Sequence, residues 1–266
     1  MFRILCLVLM LYPVLSCRQQ NQTADLKKYY DANGVTGSFV LYDASNDHYT
    51  FYNQSQFRQP YSPASTFKIF NSLVSLETGV IADENTVIAW DSVVRHNAPW
   101  NQDHDMKLAF KNSTVWFYQE LARRVGSERM QDWLSKCEYG NTKGSGAVDM
   151  IWLTGDLRIT PEQQLAFLKK LHDNTLPFSQ RSMDIVKKIM IAEQTPEYTL
   201  RAKTGWSGSD TLDVGWYVGY VEKGDNVYYF ANCIQSADLS NPNFASARIS
   251  ITYEALQELG ILKAQP

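Results

Sequence analysis

The chain keeps its strand-forming and helix-forming text in separate blocks, and that separation limits the folds open to it. Runs rich in aromatic and β-branched residues stand at 36–42 and 48–52 around an Asn-Asp turn, and again at 198–203, 214–221 and 227–234. Short connections such as Lys223-Gly224-Asp225-Asn226 make antiparallel neighbours of the strands they join. Between the two blocks the pattern is helical, at 115–136 and 160–192, with Thr160-Pro161-Glu162 as N-cap, first helical residue and acidic first turn. A last helix runs over 244–259 until Gly260 stops it. Strands, a helical block, strands and a final helix predict an α+β fold: one antiparallel sheet built from N- and C-terminal strands, flanked by the helical block and the C-terminal helix.

At 266 residues and 44% hydrophobic the chain is long enough to bury a large core, and no repeat or low-complexity stretch divides it. A single catalytic domain is expected over 25–266. A net charge of −3 and a pI near 5.8 leave no basic footprint for nucleic acid. The N-terminus carries Arg3 and an apolar run over 4–15, short for a membrane span and right for a secretory h-region, so 1–16 reads as a signal peptide. Its end, Val14-Leu15-Ser16-Cys17, resembles the lipobox of bacterial lipoproteins. That resemblance implies lipidation of Cys17, a polar tether over 17–24, and a periplasmic protein anchored to the outer membrane; Arg18 is not the inner-membrane retention signal that Asp would be. The bland alternative is ordinary cleavage near Ser16. Export also exposes Cys137 and Cys233 to oxidation, but residues so far apart in sequence are expected as two buried thiols rather than a disulfide.

One stretch carries chemistry. In Ser65-Thr66-Phe67-Lys68 the hydroxyl and the amine are three residues apart, which on a helix puts them on one face. Alone, a Ser-x-x-Lys pair is weak, since roughly one arises by chance in such a chain. Its setting strengthens it: Ser62-Pro63 reads as N-cap and first helical residue, and Phe67, Phe70, Leu73 and Val74 form a dense apolar face until Gly79. On a buried helix Lys68 is a desolvated amine with a lowered pKa, not a snorkelling surface lysine.

Three more motifs follow in order: Ser113-Thr114-Val115 ahead of a helix, Tyr139-Gly140-Asn141 opening a Gly/Asn/Ser-rich loop over 139–156, and Lys203-Thr204-Gly205 at the end of a strand. Together with Ser65-x-x-Lys68 they resemble the penicillin-recognising serine enzymes. The fuller text Pro63-Ala64-Ser65-Thr66-Phe67-Lys68-Ile69, Trp100-Asn101, Ile151-Trp152-Leu153, Lys203-Thr204-Gly205-Trp206 and Gly215-Trp216-Tyr217 is similar to the class D serine β-lactamases, the oxacillinases. Val115 matters here, because class A enzymes carry Asn at that place.

The resemblance implies hydrolysis of penicillin-type β-lactams through an acyl-enzyme on Ser65. Lys68, converted by CO2 or bicarbonate to N6-carboxylysine, would be the general base, and no other cofactor or metal is implied. Ser113 would relay a proton to the lactam nitrogen, and Trp152 would donate to the carbamate from walls formed with Phe67, Val115 and Leu153. Backbone N–H groups of Ser65 and Trp206 would hold the oxyanion. Thr204 and Arg248 would hold the substrate carboxylate, Lys203 would keep the local potential positive, and Val115, Gly205 and Trp206 would be further substrate-binding residues. Partners are then small-molecule β-lactams, and the chain is expected as a monomer or homodimer. The nearest rivals are a β-lactam sensor that acylates without turnover and a cell-wall transpeptidase or carboxypeptidase.

Overall fold

The computed structural model describes residues 21–263. The signal peptide at 1–16, Cys17 and the tether up to residue 20 lie outside the described residues. In chain order the elements are β1 (Gln22–Thr23), α1 (Lys27–Ala32), β2 (Thr36–Asp43), β3 (His48–Tyr52), α2 (Phe67–Glu77), α3 (Met106–Lys111), α4 (Val115–Val125) and α5 (Ser127–Lys136). They continue with α6 (Pro161–His172), α7 (Gln180–Ile189), β4 (Ile191–Gln194), β5 (Thr199–Gly208), β6 (Asp213–Lys223), β7 (Asn226–Ser236) and α8 (Phe244–Glu258).

Seven strands make one sheet in the order β1-β3-β2-β7-β6-β5-β4. The N-terminal hairpin β2–β3 meets the C-terminal meander where Phe39 faces Asn232 and Leu41 faces Phe230, antiparallel as expected. Only β1 runs parallel to its neighbour among the described strands. Because side chains alternate across a strand, β6 feeds two cores. Trp216, Val218 and Tyr220 pack into the helical block, while Tyr217 and Val221 pack with Ala247, Ile251 and Ala255 of α8.

Helix α2 runs through the helical block with every residue from Phe67 to Leu76 buried. The expected apolar face is there, and the polar remainder is buried as well because it pairs internally. Asn71 Nδ2 donates to the Tyr118 carbonyl at 3.0 Å, Ser75 Oγ donates to Asn71 Oδ1 at 3.0 Å, and Ser72 shares a hydrogen bond with the Tyr118 hydroxyl. Each otherwise costly buried polar group is thereby satisfied.

Several boundaries differ from the sequence reading. Gln22 and Thr23 are sheet residues opposite Thr50 and Phe51 rather than tether. Ser62 does not cap α2: a 3₁₀ turn at Ala64–Thr66 precedes the helix, and Ser62 Oγ donates to the Trp152 carbonyl at 2.8 Å. Gly126, at φ +86°, splits the helical stretch 115–136 into α4 and α5. The stretch 160–192 contains α6, with the Thr160–Gln163 capping box, then α7 and the edge strand β4. Strand β4 is mostly exposed, so it carries no alternation to read. Lys203-Thr204-Gly205 lies inside β5, which continues to Gly208. Cys137 and Cys233 are free buried thiols, and burial pushes the Cys137 thiol up to about 12.

Candidate active site

Ser65 sits in the 3₁₀ turn at the head of α2, where side chains three apart eclipse. Its neighbours from Pro63 to Phe70 are buried, and Ser65 alone among them is partly exposed. The turn is held from outside by the Trp152 carbonyl, which accepts from Ala64 N at 3.1 Å as well as from Ser62 Oγ. Ala64 has φ +47°, a left-handed conformation costing about 1–3 kcal/mol for a residue with a Cβ. Ser113 repeats the feature at φ +54°. Both reactive-serine segments are therefore bent against the ordinary backbone preference.

Lys68 Nζ donates to Ser65 Oγ at 2.8 Å. The lysine is 0% exposed, and its amine lies 5.4 Å from the centroid of the Tyr118 ring. Burial, with a smaller contribution from the Lys203 charge, holds its pKa well below the usual lysine value. The Trp152 indole, also 0% exposed, stacks on Phe67 at 4.9 Å and 16°. Trp152 Nε1 is buried with no hydrogen-bond partner among the described residues. A buried donor without an acceptor costs about 1–3 kcal/mol. Val115 and Leu153, expected as walls, are only half-buried.

Across the cleft Lys203 Nζ donates to Ser113 Oγ at 3.1 Å, to the Thr204 carbonyl at 3.1 Å and to Thr204 Oγ1 at 3.3 Å. Burial and then the Arg248 charge bring its pKa down to about 7. The approach of β5 to the Ser65 turn depends on Gly205, where a Cβ would stand 3.0 Å from the Pro63 carbonyl oxygen and 3.1 Å from Thr66 Cγ2. Strand periodicity fixes the direction of the Trp206 N–H. Ala202 N donates to the Met190 carbonyl, away from β6, so the N–H groups of Thr204 and Trp206 leave the same edge. Strand β4 pairs with β5 only over Thr199–Arg201, so the edge at Trp206 lies beyond it.

Arg248 is half-buried on the first turns of α8. It donates to the Gly205 carbonyl at 2.8 Å and lies 5.5 Å from the Trp206 ring centroid, and burial lowers its pKa to about 10. Trp206 is 46% exposed and is fixed by a 2.9 Å hydrogen bond from Nε1 to Asp213 Oδ1. Gly215 leaves room for the Arg248 stem, since a Cβ there would meet Arg248 Cγ at 2.8 Å.

Sequence reasoning passed over Tyr118, Asp213 and the packing role of Gly215. A glycine between Val214 and Trp216 inside a strand was the available sign of a close approach. The Tyr139-Gly140-Asn141 motif closes the base of its loop: Asn141 Nδ2 donates to the Asp156 carbonyl at 2.8 Å, and Asn141 Oδ1 accepts from Arg158 N at 3.0 Å. The resulting arrangement is a hydroxyl touching a desolvated amine, a second lysine–serine pair opposite, and a guanidinium at the mouth. It is suited to acyl transfer on an anionic substrate.

Comparison with known proteins agrees. The model of the penicillin binding protein transpeptidase domain matches residues 23–257. Beta-lactamase OXA-48 of Klebsiella pneumoniae is 42% identical over 226 residues, covering 85% of this chain and 84% of that protein. The crystal structure of the class D beta-lactamase YbXI from Nostoc is 48% identical, with a TM-score of 0.86 over 90% of this chain and 99% of that one. The regulatory protein BlaR1 of Bacillus licheniformis is 36% identical over 212 residues, 79% of this chain but 35% of its own length. The chain belongs to the class D β-lactamases, within the penicillin-binding transpeptidase-domain family.

Proposed function

We propose that this protein hydrolyses the β-lactam ring of penicillin-type antibiotics through a Ser65 acyl-enzyme with carboxylated Lys68 as general base, and so confers resistance. The observation that carries the reading is the pairing of a fully buried Lys68, 2.8 Å from Ser65 Oγ, with the unpartnered buried N–H of Trp152. A lysine amine attacks CO2 only when neutral, and the resulting carbamate needs donors in a dry site; a lowered pKa supplies the first and Trp152 the second.

Ser65 Oγ adds to the lactam carbonyl as its proton passes to carboxylated Lys68. The oxyanion is met by the N–H groups of Ser65, in the first turn ahead of α2, and Trp206, on the free edge of β5. The C–N bond breaks, and the nitrogen takes a proton through Ser113 from the Lys203 side. Carboxylated Lys68 passes the Ser65 proton on to the Ser113–Lys203 side, replacing the one given to nitrogen. It then takes a proton from water as the water oxygen attacks the ester, and returns it to the leaving Ser65 Oγ. The substrate carboxylate is held by Thr204 and by the planar fork of Arg248, beside Lys203. Removing bicarbonate at low pH should suppress turnover, and adding it back should restore it; turnover indifferent to bicarbonate would sink the carbamate base.

A second reading has a specific basis in the similarity to BlaR1: a sensor that acylates and stays acylated. Steady-state turnover of a chromogenic cephalosporin separates the two, because a sensor stops after one equivalent.

Export to the periplasm with a lipid on Cys17 is a further part of the reading, supported by the apolar run over 4–15 and the Leu15-Ser16-Cys17 junction. Among the described residues no helix is long and apolar enough to cross a membrane. Labelled palmitate incorporated by the wild type and not by Cys17→Ala supports the anchor.

A further inference from the structure

Thr114 stands at the N-cap of α4, where a threonine hydroxyl ordinarily accepts from the first N–H groups of the helix. It makes no such cap bond. Its Oγ1 is instead 3.0 Å from Nε2 of His104, ten residues earlier, and both side chains are buried. The other ring nitrogen, Nδ1, lies 2.8 Å from the Gln102 carbonyl, which can only accept. The ring proton therefore sits on Nδ1, and Nε2 accepts from the Thr114 hydroxyl. The imidazole has little freedom of its own. The His104 N–H and carbonyl pair with Ile88 at 3.1 and 2.8 Å, and the ring meets Trp116 edge-on at 5.4 Å.

The bond closes a loop around α3, from the residue before its N-cap Asp105 to the residue after Ser113. A second closure ends on the other side of the same serine. Trp100 Nε1 donates to the Asn112 carbonyl at 2.9 Å, and Trp116 Nε1 donates to the Trp100 carbonyl at 2.8 Å. Ser113, whose left-handed backbone persists only where its surroundings over-determine it, thus has both chain neighbours tied to the segment 88–104. Its hydroxyl is held 3.1 Å from Lys203 Nζ across the cleft.

We infer that His104 is a positioning residue for Ser113: through the Thr114 hydroxyl it holds the left-handed turn that aims Ser113 Oγ at Lys203 and at the departing lactam nitrogen. This rests on the proposed β-lactam reading, in which Ser113 relays a proton.

The test is a double-mutant cycle on acylation by benzylpenicillin, read by mass spectrometry in a single turnover. His104→Leu and Thr114→Val should each slow acylation roughly tenfold in the otherwise wild-type chain, the loss expected for one buried hydrogen bond. In a Ser113→Ala background the same changes should cost less than about twofold, because the hydroxyl they position is gone. His104→Gln, which keeps an acceptor near the place of Nε2, should recover most of the rate. Equal losses in both backgrounds, or a His104→Leu protein as fast as wild type, would overturn the inference. Amide hydrogen exchange over 112–114, measured without substrate, should quicken roughly tenfold in His104→Leu and stay slow in His104→Gln. Unchanged exchange in His104→Leu would overturn the placement whatever the chain does to β-lactams. Because the cycle reads acylation alone, a chain that acylated without turnover would refute the hydrolytic reading while this one was still decided.

Discussion

Lys68 and Lys203 are both buried, both hydrogen-bonded to a serine hydroxyl and both depressed in pKa, yet their surroundings differ in kind. Around Lys68 lie Phe67, Trp152 and the Tyr118 ring, and Ser65 Oγ is its one recorded hydrogen-bond partner among the described residues. Around Lys203 three oxygens accept, from Ser113 and Thr204, and Arg248 stands nearby. An apolar shell penalises charge without offering a substitute for water, so it favours the neutral, nucleophilic form of the amine. A shell of oxygens tolerates charge, and with its pKa near 7 Lys203 can gain a proton as an anionic substrate arrives. In the proposed mechanism one lysine does chemistry and the other binds and relays.

The comparison breaks most visibly at Lys68. Lys68→Ala should lower kcat by about 10²–10⁴, the usual contribution of a general base, whereas Lys203→Ala should raise KM and lower kcat by less, since it loses a binding charge as well as the relay. Steady-state kinetics on benzylpenicillin read both; comparable kcat losses at the two positions would erase the distinction. Trp152→Phe keeps the stack on Phe67 but removes the indole donor. Deacylation should slow by roughly 10²-fold, more than acylation, so that mass spectrometry finds a trapped adduct on Ser65.

Arg248→Ala should raise KM by about tenfold with a smaller change in kcat, as expected for loss of a fork to a carboxylate. The effect of pH is smaller and has a definite sign. Lys203 is charged below its folded pKa of about 7 and neutral above it, so KM for an anionic penicillin should rise as pH climbs through that value. Lys203→Met should flatten this part of the profile.

Stability should record the same contrast. An unfolded lysine titrates near 10.4, so between about 7 and that value the unfolded chain holds more protons at position 203 than the folded one. This group therefore makes stability increase with pH across the window. Replacing Lys68 by the apolar Met removes a desolvated amine from an aromatic pocket and should leave Tm equal or raise it by about 2–4 °C, read by calorimetry without substrate. A fall in Tm would mean the amine is better accommodated than its surroundings suggest.

The strand–helix–strand order, the hairpin at 36–52 and the meander over 198–236 were legible because those segments are regular and buried on at least one face. The edge pieces β1 and β4 were not, since their residues are mostly exposed and leave no period. At the site, the motifs brought Ser65, Lys68, Ser113 and Lys203 to notice, and the fold does bring them to one cleft. The left-handed backbones of Ala64 and Ser113 had no sequence sign, because neither residue is glycine. Asp213, which fixes Trp206, lies seven residues further on, across a hairpin whose register no local pattern determines.

Lys68 as a carboxylated base is the central claim, and it has a direct spectroscopic test. Wild-type protein equilibrated with isotope-labelled bicarbonate should give an NMR carbamate resonance that is absent from Lys68→Ala and fades on acidification in step with activity. No such resonance in a sample with full hydrolytic activity would contradict it.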